Sequence, residues 1–180
     1  MRRLLVSSLF VLSALQAGAQ DAWQRITPGT IVLFRHALAP GGGDPAGWRL
    51  NDCSTQRNLS AEGRAQAQRI GEAFQLRNID VGNVWSSQWC RTRETADLAF
   101  PGKRVDQPSF NSFFGTPAQG ASQTQAAREL LATHQGRGVT VIITHQVNIT
   151  ALTGIVPASG EGVVVAMIGR DLKVLGQITP

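Results

Sequence analysis

Two apolar runs decide most of what this chain can fold into. One is Ile31-Val32-Leu33-Phe34, entered through Thr30; the other is Val139-Thr140-Val141-Ile142-Ile143-Thr144. Both have strand length, are rich in β-branched residues and lack polar alternation. Each therefore predicts a strand covered on both faces, the kind found in parallel sheets with helices above and below. Between and after them the periodicity switches. Ser60 stands as N-cap of a helix whose Ala65, Ile70, Ala73 and Phe74 recur at helical spacing as far as Leu76. Val84 to Ser86 predicts a short strand, Arg91 to Ala99 a helix stopped by Pro101, and Ser122 to His134 a helix closed by Gly136. Ile149 to Leu152 predicts one helical turn. Val163 to Ile168 and Leu172 to Ile178 flank Gly169-Arg170-Asp171 as a closing hairpin. The expected class is α/β: a three-layer α/β/α sandwich with a largely parallel central sheet.

The first residues are expected not to belong to that fold. Met1-Arg2-Arg3, the apolar stretch Leu4 to Leu15 and the small-residue site Ala17-Gly18-Ala19 read as an export signal cleaved after Ala19. The stretch is short of the ~20 residues of a membrane span; an uncleaved anchor is the alternative. Residues 20–180 then form a single domain, with no internal repeat or linker, in a periplasmic or secreted protein. Losing Arg2 and Arg3 lowers the formal charge of +5 to a mildly basic balance that suits a small anionic ligand. No Lys/Arg run tracks nucleic acid, and no later apolar stretch is long enough to span a membrane. In an oxidising compartment Cys53 and Cys90 are candidates for one disulfide; two independent buried thiols are the alternative. The few His and Cys residues show no HExxH or paired CxxC spacing, so neither a metal site nor a cofactor is expected.

In open α/β sheets ligands bind beyond the carboxyl ends of the strands. The residues at those ends are Arg35-His36, Ser86-Ser87 with Arg91 just beyond, and His145. Two imidazoles and two guanidinium groups from three segments would meet there. Arginine forks fit phosphate oxygens, a neutral imidazole is nucleophilic near pH 7, and a protonated one can donate to a transferring phosphoryl group. Phosphoryl transfer needs mostly positioning and charge, so this set suffices without metal. Other hydrolase routes lack their motifs: there is no GxSxG elbow, no Arg six positions after either Cys, and no DxD pair.

These segments resemble the histidine phosphatase (phosphoglycerate mutase-like) superfamily. Leu33 to Ala37 (LFRHA) resembles its RHG signature, Asn58 to Ala67 its helix start, Trp85 to Ala96 its SSxxxRxxxTA element, and Ile143 to Asn148 its second histidine block. The resemblance implies that His36 becomes phosphohistidine, that Arg35 and Arg91 hold the phosphate, and that His145 contacts the transferring group. It implies a two-step phosphomonoester hydrolysis. Within the superfamily, the export signal, the APGGGDP loop (Ala39 to Pro45), the Cys53 to Leu59 stretch and Phe110 to Phe114 resemble the Ais-type envelope proteins. Those are lipopolysaccharide core heptose-phosphate phosphatases, so an envelope sugar phosphate becomes a candidate substrate.

Three departures stand out. Ala37 and Gln146 replace glycines that usually follow the two histidines. The third is the general acid, a Glu in related chains, for which Pro108 to Gly115 offers no carboxylate. Asp44, in the loop after His36, is the first candidate to replace it, and Asp52 the second; a substrate with a good leaving group would need neither. Arg57 could reach the phosphate or lie at the surface. Trp48, Trp85, Trp89, Phe113 and Phe114 could wall the pocket mouth or pack in the core. His134 is expected at a helix C-cap, Glu94 at the surface, and Gly41 to Gly43 in a flexible flap. Two function classes follow: an exported phosphatase, or a non-catalytic phosphate-binding envelope protein that lost its acid.

Overall fold

The structure, a computed structural model, describes residues 22–180. The expected export signal lies outside them. The order along the chain is β1 (Ile31–Arg35), α1 (Ala61–Leu76), β2 (Val81–Ser86), α2 (Cys90–Ala99), β3 (Arg104–Asp106), α3 (Gly120–Thr133), β4 (Val139–Thr144), α4 (Gln146–Thr153), β5 (Gly162–Ile168) and β6 (Asp171–Ile178), with short 3-10 turns at Cys53–Thr55, Pro108–Phe110 and Pro117–Gln119. The strands form one sheet in the order β3-β2-β4-β1-β5-β6. The first four are mutually parallel, and β5 and β6 close the other edge antiparallel.

The continuous apolar runs behave as two-faced strands should. Val32 and Phe34 of β1, with Val141 and Ile143 of β4, pack with Ile70 and Phe74 of α1 and Ala96 and Ala99 of α2. Their alternate neighbours Ile31, Leu33 and Ile142 pack with Ala127 and Leu131 of α3 and Ile149 and Leu152 of α4. Side chains alternate across a strand, so each run must be apolar throughout to feed both layers. The α/β/α sandwich follows. One close approach explains a glycine: Gly63, in the first turn of α1, has its missing Cβ 2.0 Å from the Leu38 carbonyl oxygen. Any side chain there would push the helix off the segment that follows His36.

Differences from expectation are local. β2 begins at Val81 rather than Val84, and α4 runs for two turns rather than one. β3 has no periodic signal because it spans three residues on the sheet edge, with Val105 exposed. The hairpin turn is tighter than expected, since Ile168 already pairs with Asp171. No helix among the described residues is long and apolar enough to cross a membrane.

Candidate active site

The parallel register brings the histidines together. β1 and β4 are neighbours with Arg35 opposite Thr144, so the next residue of each strand is a histidine at the same level. The His36 N–H donates to the Thr144 carbonyl at 2.9 Å. The two rings lie edge to face with centroids 5.5 Å apart, and both are buried. Ser86 ends β2 opposite Ile143, which sets Ser87 beside His145. The backbone ladder thus does most of the assembly.

These rings line a cavity of about 650 Å³ together with Arg35, Arg57, Arg91, Asp44 and the flap glycines. His36 Nδ1 lies 2.8 Å from the Ala37 carbonyl. A carbonyl can only accept, so Nδ1 carries the proton and Nε2 keeps the lone pair. Burial, then the positive charge of Arg91, pushes His36 down to about 3, which leaves the ring neutral over the whole physiological range. Burial and the charge of Arg91 also hold His145 well below the ordinary histidine value. The arginines feel the same crowding. Burial lowers all three, and the charge of Arg57 lowers Arg35 and Arg91 further.

The Nε of Arg35, of Arg57 and of Arg91 is each buried without a hydrogen-bond partner among the described residues. Arg93 Nε shares that condition, but its guanidinium is paired with Asp106 at 2.5 Å. Buried donors without acceptors are uncommon and costly. Arg35, Arg57 and Arg91 stand around one cavity, a lining that suits an anion with several oxygens.

Asp44 sits in this cavity as a carboxylate. Its Oδ1 accepts from Arg91 Nη1 at 2.7 Å and from the Arg57 backbone N–H at 3.0 Å. Its Oδ2 accepts from Trp89 Nε1 at 2.9 Å and from Arg91 Nη2 at 3.2 Å. Burial alone would raise its carboxyl, but these donors hold it below the usual carboxylate value. In this state it has no proton to deliver. It grips Arg91 end-on and leaves the Nε side of that guanidinium unpaired. Asp52 does not line the cavity; it caps the Cys53–Thr55 turn and pairs with Arg49 at 2.6 Å.

The loop bearing Arg57 is fastened to the start of α2. Cys53 and Cys90 form a disulfide. Gln56 Oε1 accepts from the Cys90 N–H at 3.0 Å, while its Nε2 donates to the Arg49 and Leu50 carbonyls. Arg57 is half-buried and donates to the Ala39 carbonyl, so it belongs to the cavity wall and not the open surface. Other motif residues act as staples. The Thr95 hydroxyl accepts from the Ala37 N–H at 3.1 Å, and Gln66 links the Leu38 N–H to the Ser159 carbonyl.

The aromatics divide. Trp48 and Trp89 pack with centroids 4.8 Å apart on the cavity wall, and Phe114 is exposed at its mouth near Gly43. Trp85 lies in the core between Phe110 and His134. His134 is the C-cap of α3, and Glu94 pairs with Arg64 at the surface. Asn111, Gln119 and Gln123 also line the cavity. Gln119 and Gln123 lie in segments without repeat or motif, and nothing in the sequence singles them out. Asn111 stands in the stretch where an acid was sought. Among the described residues no group of three or more His, Cys, Asp or Glu side chains is placed to hold a metal ion.

Residues 31–108 match the model of the histidine phosphatase superfamily (branch 1). No curated protein sequence matches the chain. Among solved structures, phosphoglycerate mutase from Thermus thermophilus is similar with a TM-score of 0.59 at 20% identity, over 82% of this chain and 97% of that one. Phosphoserine phosphatase from Entamoeba histolytica, solved with 3-phosphoglyceric acid, gives 0.60 at 12% identity, over 82% and 95%. The protein histidine phosphatase SixA, solved with tungstate, gives 0.54 at 14% identity, over 84% and 97%. At such identities the likeness is one of fold. The family model takes in His36 and Arg91, and β4 brings His145 to the same cavity: over residues 31–108 the chain is similar to the histidine phosphatase superfamily, and its fold is the one these solved structures share.

Proposed function

We propose that this chain is an exported phosphatase that hydrolyses phosphate monoesters or related phosphoryl compounds through a phosphohistidine on His36. The observation that carries the reading is the convergence of Arg35, Arg57 and Arg91 on one cavity with a neutral imidazole whose Nδ1 is already committed. His36 Nε2 attacks phosphorus and the P–O bond to the leaving group breaks. Water then attacks the phosphohistidine and the P–N bond breaks. Arg35, Arg57 and Arg91 neutralise the phosphoryl oxygens in both steps, so the scheme is metal-independent. The aromatic and amide side chains of the outer cavity suit a sugar, in keeping with a lipopolysaccharide core sugar phosphate met in the periplasm or outside the cell.

Incubation of the protein with a labelled phosphoryl donor tests this. Acid-labile, base-stable label on the wild type and none on His36→Ala is the expected result. Bound phosphate with neither label nor hydrolysis would favour the second reading, a non-catalytic phosphate-binding envelope protein. The amide at Asn111 in the acid stretch is what keeps that reading in play.

A further inference from the structure

If the chain is a phosphatase, an alkoxide leaving group needs a proton, and the only carboxylate lining the cavity among the described residues is tied to Arg91. The side chains behind His145 offer another source. Ser87 Oγ lies 2.8 Å from His145 Nε2 and 3.3 Å from Asn111 Oδ1, and it accepts the Trp89 N–H at 3.3 Å. The Asn111 amide is oriented by two further bonds. Its Oδ1 accepts the Gln88 N–H at 2.8 Å, and its Nδ2 donates to Gln88 Oε1 at 2.9 Å. The backbone carbonyl of Asn111 is held in turn by Asn148 Nδ2 at 2.8 Å. A hydroxyl has one proton to give. With an amide oxygen fixed on one side, Ser87 gives its proton to Asn111 and accepts from His145 Nε2. Nδ1 is then the free nitrogen, without a partner among the described residues, on a ring that lines the cavity.

We infer that His145 is the proton carrier of the reaction, with Ser87 and Asn111 as positioning residues that keep its Nε2 protonated and leave Nδ1 for the substrate. This rests on the phosphatase reading. The protein's own charges disfavour an imidazolium, because Arg91, Arg57, Arg35 and His36 all surround the ring. The proton therefore arrives with the substrate. A monoester bound as its monoanion passes its proton to Nδ1. As His36 Nε2 bonds to phosphorus and the P–O bond breaks, Nδ1–H protonates the departing oxygen and the ring becomes neutral. In the second step Nδ1 takes a proton from the attacking water while the P–N bond breaks. Hydrogen phosphate leaves, and the retained proton goes to bulk water before the next turnover.

The test compares two esters of different leaving-group strength, p-nitrophenyl phosphate and an alkyl phosphate such as glycerol phosphate. His145→Gln should lose about 10²–10⁴-fold in kcat/KM on the alkyl ester, and much less on the nitrophenyl ester, whose leaving group departs without a proton. Ser87→Ala keeps the imidazole but frees its tautomer. It should show the same bias at smaller size, which preserves the test if His145→Gln folds poorly. Wild-type kcat/KM on the alkyl ester should fall as pH rises above about 6, where the monoanion is lost. Equal losses on both esters in both variants would overturn the inference and leave His145 a phosphate ligand. A wild type inert on both esters while binding phosphate would overturn the phosphatase reading itself, and the inference with it.

Discussion

The Cys53–Cys90 disulfide is expected to hold the phosphate site together as well as the fold. The bond spans a sequence separation of 37 residues. For a loop of that size the entropy removed from the unfolded chain corresponds to about 4 kcal/mol. In a protein of this size that is roughly 8–16 °C of melting temperature. The local consequence follows from position. Cys90 immediately precedes Arg91, and Cys53 shares with Arg57 the loop that Gln56 fastens to the Cys90 N–H. Cys53 is exposed, so a soluble reductant has access. Thermal melts of the intact protein, the reduced protein and a Cys53→Ser/Cys90→Ser variant, each with and without inorganic phosphate, separate the two effects. Loss of the bond should lower the melting temperature by the stated amount. It should also weaken phosphate binding about tenfold, near 1.4 kcal/mol, because two of the three arginines lose their common anchor. A reduced protein that melts within about 2 °C of the intact one, against the 8–16 °C expected from loop closure, and that binds phosphate equally well, would refute the reasoning.

Three further outcomes are expected. Asp44→Asn should destabilise by about 2–4 kcal/mol by leaving the buried Arg91 guanidinium half-paired. Its turnover should fall by the same factor on alkyl and nitrophenyl esters; a loss confined to the alkyl ester would restore Asp44 as the acid. Gly71→Ala places a Cβ 2.1 Å from the Ala99 carbonyl oxygen, so α1 and α2 must separate. Despite the gain in helix propensity, denaturant unfolding should show a net loss of about 1–3 kcal/mol. Acid should destabilise the protein in a defined window. His36 is held neutral down to about 3, whereas in the unfolded chain it protonates near the ordinary histidine value. Stability is complete above about pH 6.5 and declines as pH falls toward 3, by roughly 1.4 kcal/mol per unit from this residue. Unfolding free energies between pH 7 and 4 should show that slope, and His36→Asn should reduce it.

How much of this was legible in the sequence depends on how local each determinant is. β1 and β4 declare themselves because burial on two faces demands apolar residues at every position, and their terminal histidines come with them. Ser60 and Pro101 bound their helices by backbone chemistry that needs no distant partner. The disulfide was only one of two possibilities, since a pairing depends on how the loop lies. β3 is held by its neighbour and by the Arg93 and Arg104 pairs with Asp106, not by any pattern of its own. Asp44 illustrates the limit best. As a lone carboxylate after His36 it suggested a mobile acid, and only the fold shows four donors closing on it. Asn111 reads as a missing acid in the sequence. In three dimensions it is the residue that orients Ser87.

The histidine pair owes its spacing to adjacent strands whose register is fixed along five paired positions. Insertions in the flap or before α3 that keep Asp44 and Asn111 in place, or after α4, would therefore leave the two rings undisturbed. Asp44 and Asn111 are the points at which those segments touch the groups around the rings. A chain built this way can exchange its mouth for another, and so change which ligand it admits, while the paired rings stay where they are.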